Sequence, residues 1–172
     1  MTNLKIRGGV AALLLALTAC SDSSEPAGSM EPSLASSTSA TLVECPSDQS
    51  FQTSGDVLPT GGSVSLRGHS VTVPSGAVLL PTSISLAEPA SQYMQVNLGA
   101  NGEDHFQFRA PIRVTISYAR CSRSNLDKAP LSVWLIDEQT GALLQNMGGV
   151  DDKVNRTVTF ETDHFSGYAI AN

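Results

Sequence analysis

The run Ile112-Arg113-Val114-Thr115-Ile116-Ser117-Tyr118 decides how this chain folds. Its apolar side chains fall on every second position with polar ones between them, so an extended strand collects the apolar groups on one face. A helix would scatter the same groups around its axis. The pattern repeats on both sides. Val64 and Leu66 alternate with Ser63 and Ser65, and Val71 and Val73 with Ser70 and Thr72. Ile84 and Leu86 alternate with Ser83 and Ser85, and Met94, Val96 and Leu98 with Tyr93, Gln95 and Asn97. Residues 131–136, 157–160 and 167–170 add shorter runs of the same character. Such β-branched, two-residue periodicity marks half-buried strands.

Turn residues divide these runs: Pro59-Thr60-Gly61-Gly62, Pro74-Ser75-Gly76, Gly99-Ala100-Asn101-Gly102, Glu138-Gln139-Thr140-Gly141 and Gly148-Gly149. Each combines residues that accept φ > 0 or fix φ, the chemistry of tight turns. Pro111, which cannot donate to a ladder, is expected at a strand start. No window after Cys20 has a helical period. The expectation is an all-β domain over residues 45–172, an antiparallel β-sandwich of about eight to ten short strands, with a closed barrel as the alternative.

The chain has 172 residues, 41% hydrophobic and 15% charged, which fits one modest domain with some unstructured chain beside it. Acidic residues outnumber basic ones 16 to 10, for a formal charge of -6. No overall basic field exists to hold a phosphate backbone, so nucleic acid is not an expected partner.

The N-terminus has a different character. Lys5 and Arg7 precede the small and apolar run Gly8–Leu17, followed by Thr18-Ala19-Cys20. A positive flank, a short apolar core and small residues form the pattern of an export signal. The run is too short for the ~20 residues that a membrane-spanning helix needs. From Ser21 to Leu42 the chain is rich in Ser and holds no aromatic residue. It cannot bury enough apolar area to offset the entropy of ordering it, so residues 20–44 are expected to form a disordered tether.

The tetrapeptide Leu17-Thr18-Ala19-Cys20 resembles the lipobox of bacterial lipoprotein precursors. That resemblance implies cleavage of residues 1–19 between Ala19 and Cys20, a diacylglycerol on the Cys20 thiol, and acylation of the new amine. Two or three acyl chains make a durable anchor where one is marginal. Ser21, rather than Asp, follows Cys20, which implies the outer membrane of a Gram-negative envelope. Loss of Lys5 and Arg7 with the signal moves the formal charge from -6 to -8, so the lipid and not the surface charge must hold the domain at an anionic membrane. Cys45 and Cys121 then remain as an even pair in an exported domain, and a disulfide between them is expected, with two unpaired thiols as the alternative.

Three stretches resemble the opening of the ZU-five domain shared by zonula occludens proteins, ankyrins and netrin receptors: Gly61–Leu66, Val71–Val78 and Thr82–Leu86. Phe108-Arg109-Ala110-Pro111 followed by Ile112–Ile116 is similar to its central strand, and His164-Phe165-Ser166-Gly167-Tyr168 to its last. The resemblance implies a β-sandwich. It also implies a chemistry, because in some relatives the same His-Phe-Ser tripeptide cleaves itself. There the Ser hydroxyl attacks the Phe carbonyl and the resulting ester is hydrolysed. The matching residues are His164, Phe165 and Ser166. In those relatives a further domain follows, whereas this sequence ends six residues after Ser166. The structural alternative has Phe165, Tyr168 and Ile170 filling the core while Ser166 and Gly167 make a bend.

Other candidate chemistry is sparse. His69, His105 and His164 show no metal-ligand spacing, and no cofactor or metal is expected. Glu103-Asp104-His105 and Asp151-Asp152 read as solvated turns without a calcium-loop pattern. Ser166 lacks the glycine-flanked setting of a hydrolase nucleophile. Trp134 and Tyr93 offer a possible sugar-stacking face, although Trp134 sits in a run apolar on both faces and is expected to be at least partly core. The reading is a lipid-anchored envelope protein whose β-sandwich is a non-enzymatic interaction or structural module with an envelope protein partner. The alternatives are a domain cut between Phe165 and Ser166 and a glycan- or small-ligand-binding module.

Overall fold

A computed structural model describes residues 40–103, 105–122, 126 and 129–172. Ala19, Cys20, the expected tether up to residue 39, and Asp104 lie outside the described residues. Within them the chain forms thirteen strands. In chain order these are β1 (Glu44–Ser47), β2 (Phe51–Val57), β3 (Gly62–Leu66), β4 (His69–Val73), β5 (Thr82–Glu88), β6 (Ser91–Tyr93) and β7 (Gln95–Ala100). They continue as β8 (Gln107–Ser117), β9 (Ser132–Ile136), β10 (Leu143–Gly148), β11 (Val150–Asp152), β12 (Thr157–His164) and β13 (Gly167–Ala171). A six-stranded sheet has the order β10-β9-β13-β7-β5-β2, a five-stranded sheet β11-β12-β8-β4-β3, and β1 pairs with β6 alone. Every pairing is antiparallel. The fold is therefore an all-β antiparallel sandwich.

The alternation in the sequence becomes the core. Val64, Val71, Val114 and Phe160 stand in one register row across the five-stranded sheet, and all four are buried. Their neighbours in the row beside them, Ser63, Thr72, Arg113 and Glu161, are exposed. Ile84, Leu86, Val96, Leu98, Tyr168 and Ile170 of the other sheet join the same buried cluster. Each such side chain, fully buried, contributes roughly 1.5–3 kcal/mol.

The chain passes between the two main sheets six times, and two of these crossings are glycine-bearing corners. The Leu58–Gly61 turn carries β2 into β3, and Gly148 and Gly149 carry β10 into β11. The second corner requires glycine. Gly149 has φ +124, and a Cβ there would lie 2.8 Å from Val158 Cγ1.

Strands outnumber the expectation because several are short and lack an apolar alternation. In β2 the inward positions include Thr53 and Gly55, and Gly55 is small because Val64 packs against it, at 3.1 Å from where a Cβ would stand. Pro111 is not at a strand start. It lies inside β8, where the register with β12 shifts between Thr162 and His164, so its missing N–H falls at a bulge. The fold also begins before residue 45: Thr41 and Asn172 exchange backbone hydrogen bonds, Val43 N–H donates to Ile170 O at 2.9 Å, and Val43 is buried.

Register defines two poles. At the near pole, where the described chain begins, lie the Thr41–Asn172 pairing, the Phe51–Glu88 and Leu66–His69 pairs, and the end of β8. At the far pole lie the Val57–Thr82 and Gly62–Val73 pairs and the starts of β8 and β13.

Candidate functional site

Cys45 and Cys121 are joined in a disulfide at the near pole. Beside it the structure assembles a buried polar cluster that the sequence reading did not anticipate. Glu88, at the end of β5, is only 1% exposed. Arg120 Nε donates to its Oε1 at 2.5 Å, and Arg67 Nε and His69 Nε2 face its Oε2 at 3.3 and 3.4 Å. Arg120 also donates to Cys45 O at 2.8 Å, and the Arg67 guanidinium lies 3.8 Å over the Phe51 ring. His69 Nδ1 accepts the Ser117 N–H at 3.1 Å, which puts the ring proton on Nε2, towards Glu88. Burial holds the His69 pKa below its ordinary value, against the opposing pull of Glu88. The cluster fastens β1, β4, β5 and the turn after β8 together; buried charges of this kind are paired because leaving one alone is costly. Glu88 lines neither of the clefts described below.

The tripeptide forms the corner between β12 and β13. Phe165 is fully buried, with its ring edge against Phe108 at 4.8 Å between centroids. Phe165 N–H donates to Phe106 O at 3.0 Å, and Ser166 O accepts the Leu98 N–H at 3.2 Å. The Tyr168 hydroxyl reaches back across the corner to His164 O at 2.8 Å. His164 Nδ1 lies 3.1 Å from Asp163 Oδ1 and 3.3 Å from Thr162 Oγ1. Among the described residues the imidazole therefore makes its hydrogen bonds with Asp163 and Thr162, and the Ser166 hydroxyl is not among its partners. Ser166 instead lines an open cleft of about 400 Å³ with His105, Glu138 and Leu144.

The remaining candidates are dispersed. The three histidines occupy separate places: His69 in the Glu88 cluster, His105 exposed at the far pole, His164 beside Asp163. Among the described residues no three His, Cys, Asp or Glu side chains gather at metal-binding distance. Asp151 and Asp152 lie in β11 rather than in a loop, and both are used internally. Asp151 accepts from the Tyr118 hydroxyl at 2.7 Å, from Leu131 N–H at 2.9 Å and from Lys153 at 2.8 Å. Burial pushes its pKa up, but these donors outweigh it and hold the carboxyl below its ordinary value. Asp152 caps the turn through Val154 and Asn155 N–H. Trp134 is half-buried and donates to Ser132 Oγ, and among the described residues Tyr93 is the one exposed aromatic, so no row of stacking rings forms.

A second cleft, of about 300 Å³, opens at the far pole between the β4–β5 loop and the start of β8. Val78, Leu79, Leu80, Pro81, Phe106 and Arg109 line it. Leu79 and Leu80 were legible only as apolar residues; that they face water is a result of the loop's path.

No protein-family model matches the chain, and comparison with curated proteins finds no match. Among the described residues no helix is long and apolar enough to cross a membrane.

Proposed function

We propose that this chain is a lipid-anchored bacterial envelope protein whose ZU-five-like sandwich is a non-enzymatic interaction or structural module. The observation that carries the reading is the division of its three cysteines. Cys45 and Cys121 are paired in the folded domain, which fits an oxidising compartment outside the cytoplasm. Cys20 is left over, at the end of a positively flanked apolar run and directly after Leu17-Thr18-Ala19. That is where a lipidated cysteine belongs, and the outer membrane is the proposed destination. The non-enzymatic part is supported by how the polar side chains are spent: Glu88 and Asp151 hold neighbouring strands and turns, and His164 bonds to Thr162 and Asp163 within β12.

Metabolic labelling with a fatty-acid analogue tests the anchor. The wild-type chain should take up label and sediment with membranes, and Cys20→Ala should lose both properties. A Cys20→Ala protein that stays membrane-bound and labelled overturns the reading.

A further inference from the structure

We propose that the far-pole cleft docks a partner polypeptide that presents an aliphatic or aromatic side chain next to a carboxylate. Leu79, Leu80 and Phe106 take the apolar group, and Arg109 takes the acid. This rests on the reading of the domain as an interaction module.

The first observation is the presentation of the two leucines. Leu79 is 67% exposed and Leu80 73%, although Ala77 and Val78 just before them are buried. The loop is pinned at each step. Gly76 N–H donates to Pro59 O at 2.8 Å, Arg109 N–H to Ala77 O at 3.0 Å, and Thr82 Oγ1 to Leu80 O at 2.9 Å. Pro74 and Pro81 bracket it and fix φ at both ends. Two adjacent large apolar groups are thus held in water by an ordered backbone, so a partner meets them without the usual ordering cost.

The second observation is the cation. Five arginines lie among the described residues, and four are engaged: Arg67 and Arg120 with Glu88, Arg113 with Glu161, and Arg156 with Ala119 O and Cys121 O. Arg109 has no carboxylate partner among the described residues and stands at the rim of the apolar cleft. In a chain of net charge -6 an acidic partner is repelled over most of the surface, so a guanidinium with no carboxylate partner among the described residues, beside an apolar seat, fixes where the acid goes. At about 300 Å³ and open, the cleft seats one or two side chains and does not enclose a small ligand. An apolar anchor with a charged rim is how a peptide segment is held. The site also lies at the pole away from the start of the described chain.

The test selects a displayed random-peptide library on the immobilised full chain and then titrates the enriched peptides by fluorescence anisotropy. Enriched sequences should carry an apolar residue within two positions of Asp or Glu. Leu80→Ser and Arg109→Glu should each weaken binding tenfold or more, while Val154→Ser, at an exposed apolar residue elsewhere, should not. Replacing the peptide's acid by Lys should weaken binding to the wild type and restore it to Arg109→Glu. Failure to enrich any peptide, enrichment of peptides without an acid, or indifference to both variants overturns the proposal. So does self-association of the full chain that Leu80→Ser abolishes, or binding of the Cys20→Ser chain to phosphatidylglycerol vesicles that depends on Leu80, since these name a second copy or a lipid as the occupant. Crosslinking in intact cells separates this failure from that of the module reading: protein crosslinks indifferent to Leu80→Ser remove the site and keep the module, and their complete absence removes the module.

Discussion

Glu88 shows how a single residue organises the near pole. Its carboxylate is out of water, and Arg120 faces it from the turn after β8 while Arg67 and His69 face it from the β3–β4 hairpin. Removing one partner of a buried pair leaves the others uncompensated, at about 3 kcal/mol. Glu88→Gln should therefore lower unfolding stability by about that amount, and a urea midpoint unchanged within error would show that water already serves these groups. His69 adds a pH dependence of defined sign. Its ring is neutral, with Nδ1 committed to the Ser117 N–H, and burial lowers its folded pKa from 6.5. Below that ordinary value the unfolded chain binds a proton that the folded chain refuses, so stability falls as the pH drops from 6.5 towards the lower, folded value. His69→Gln should flatten the fall in urea midpoint between about pH 7 and pH 5. An equally steep fall in the variant would move the cause to the carboxylates.

At the scale of elements, the corner between β12 and β13 is held by hydrogen bonds that run across it. The Tyr168 hydroxyl donates to His164 O, in the manner of a tyrosine corner. Burial raises the pKa of that hydroxyl, so it remains a donor well into alkaline solution. Tyr168→Phe leaves His164 O without this donor and should cost roughly 1 kcal/mol in thermal or urea unfolding. With His164 engaged by Asp163 and Thr162, the wild-type chain should also show an intact C-terminus: its denatured mass should include the last seven residues, Ser166–Asn172. A species lacking them would establish self-cleavage. What the sequence disclosed follows the same physics. In β8 inward apolar positions were obligatory, so Ile112, Val114 and Ile116 announced a strand. In β2 the inward Thr53 and Gly55 fit under neighbours, and the strand was silent. Cys45 and Cys121 were legible from the expectation of export, since an even pair of cysteines in an exported domain oxidises. Glu88 and its partners were not, because residues 67, 69, 88 and 120 meet only once the sheets have formed. Arg109 escaped notice for the opposite reason: its significance lies in having no carboxylate partner among the described residues.

The whole molecule divides its labour between its ends. The near pole carries the Cys45–Cys121 disulfide, the Arg120 bond to Cys45 O and the Thr41–Asn172 pairing, all on or beside the first folded residues. The first folded residues join β13 there through the Val43 N–H bond to Ile170 O, between two buried residues. The far pole carries the exposed leucines and, among the described residues, no disulfide. Two serines in place of Cys45 and Cys121 release a constraint on 76 residues of sequence separation, worth about 2–4 kcal/mol by restriction of the unfolded chain. Two consequences can be separated by native-state hydrogen exchange. Restriction of the unfolded chain changes global stability, so amides that exchange only by complete unfolding, such as those of Val71 and Val114 in the central strands, should all lose the same protection. Loss of the local clamp acts additionally on β1 and the pairing next to it, so Val43 and Met94, whose N–H groups donate to Ile170 O and Val43 O, should lose more. Equal loss at all four amides would make the disulfide a purely entropic staple, and the first folded residues would then be held by the Arg120 bond to Cys45 O and the backbone bonds of Thr41 and Val43.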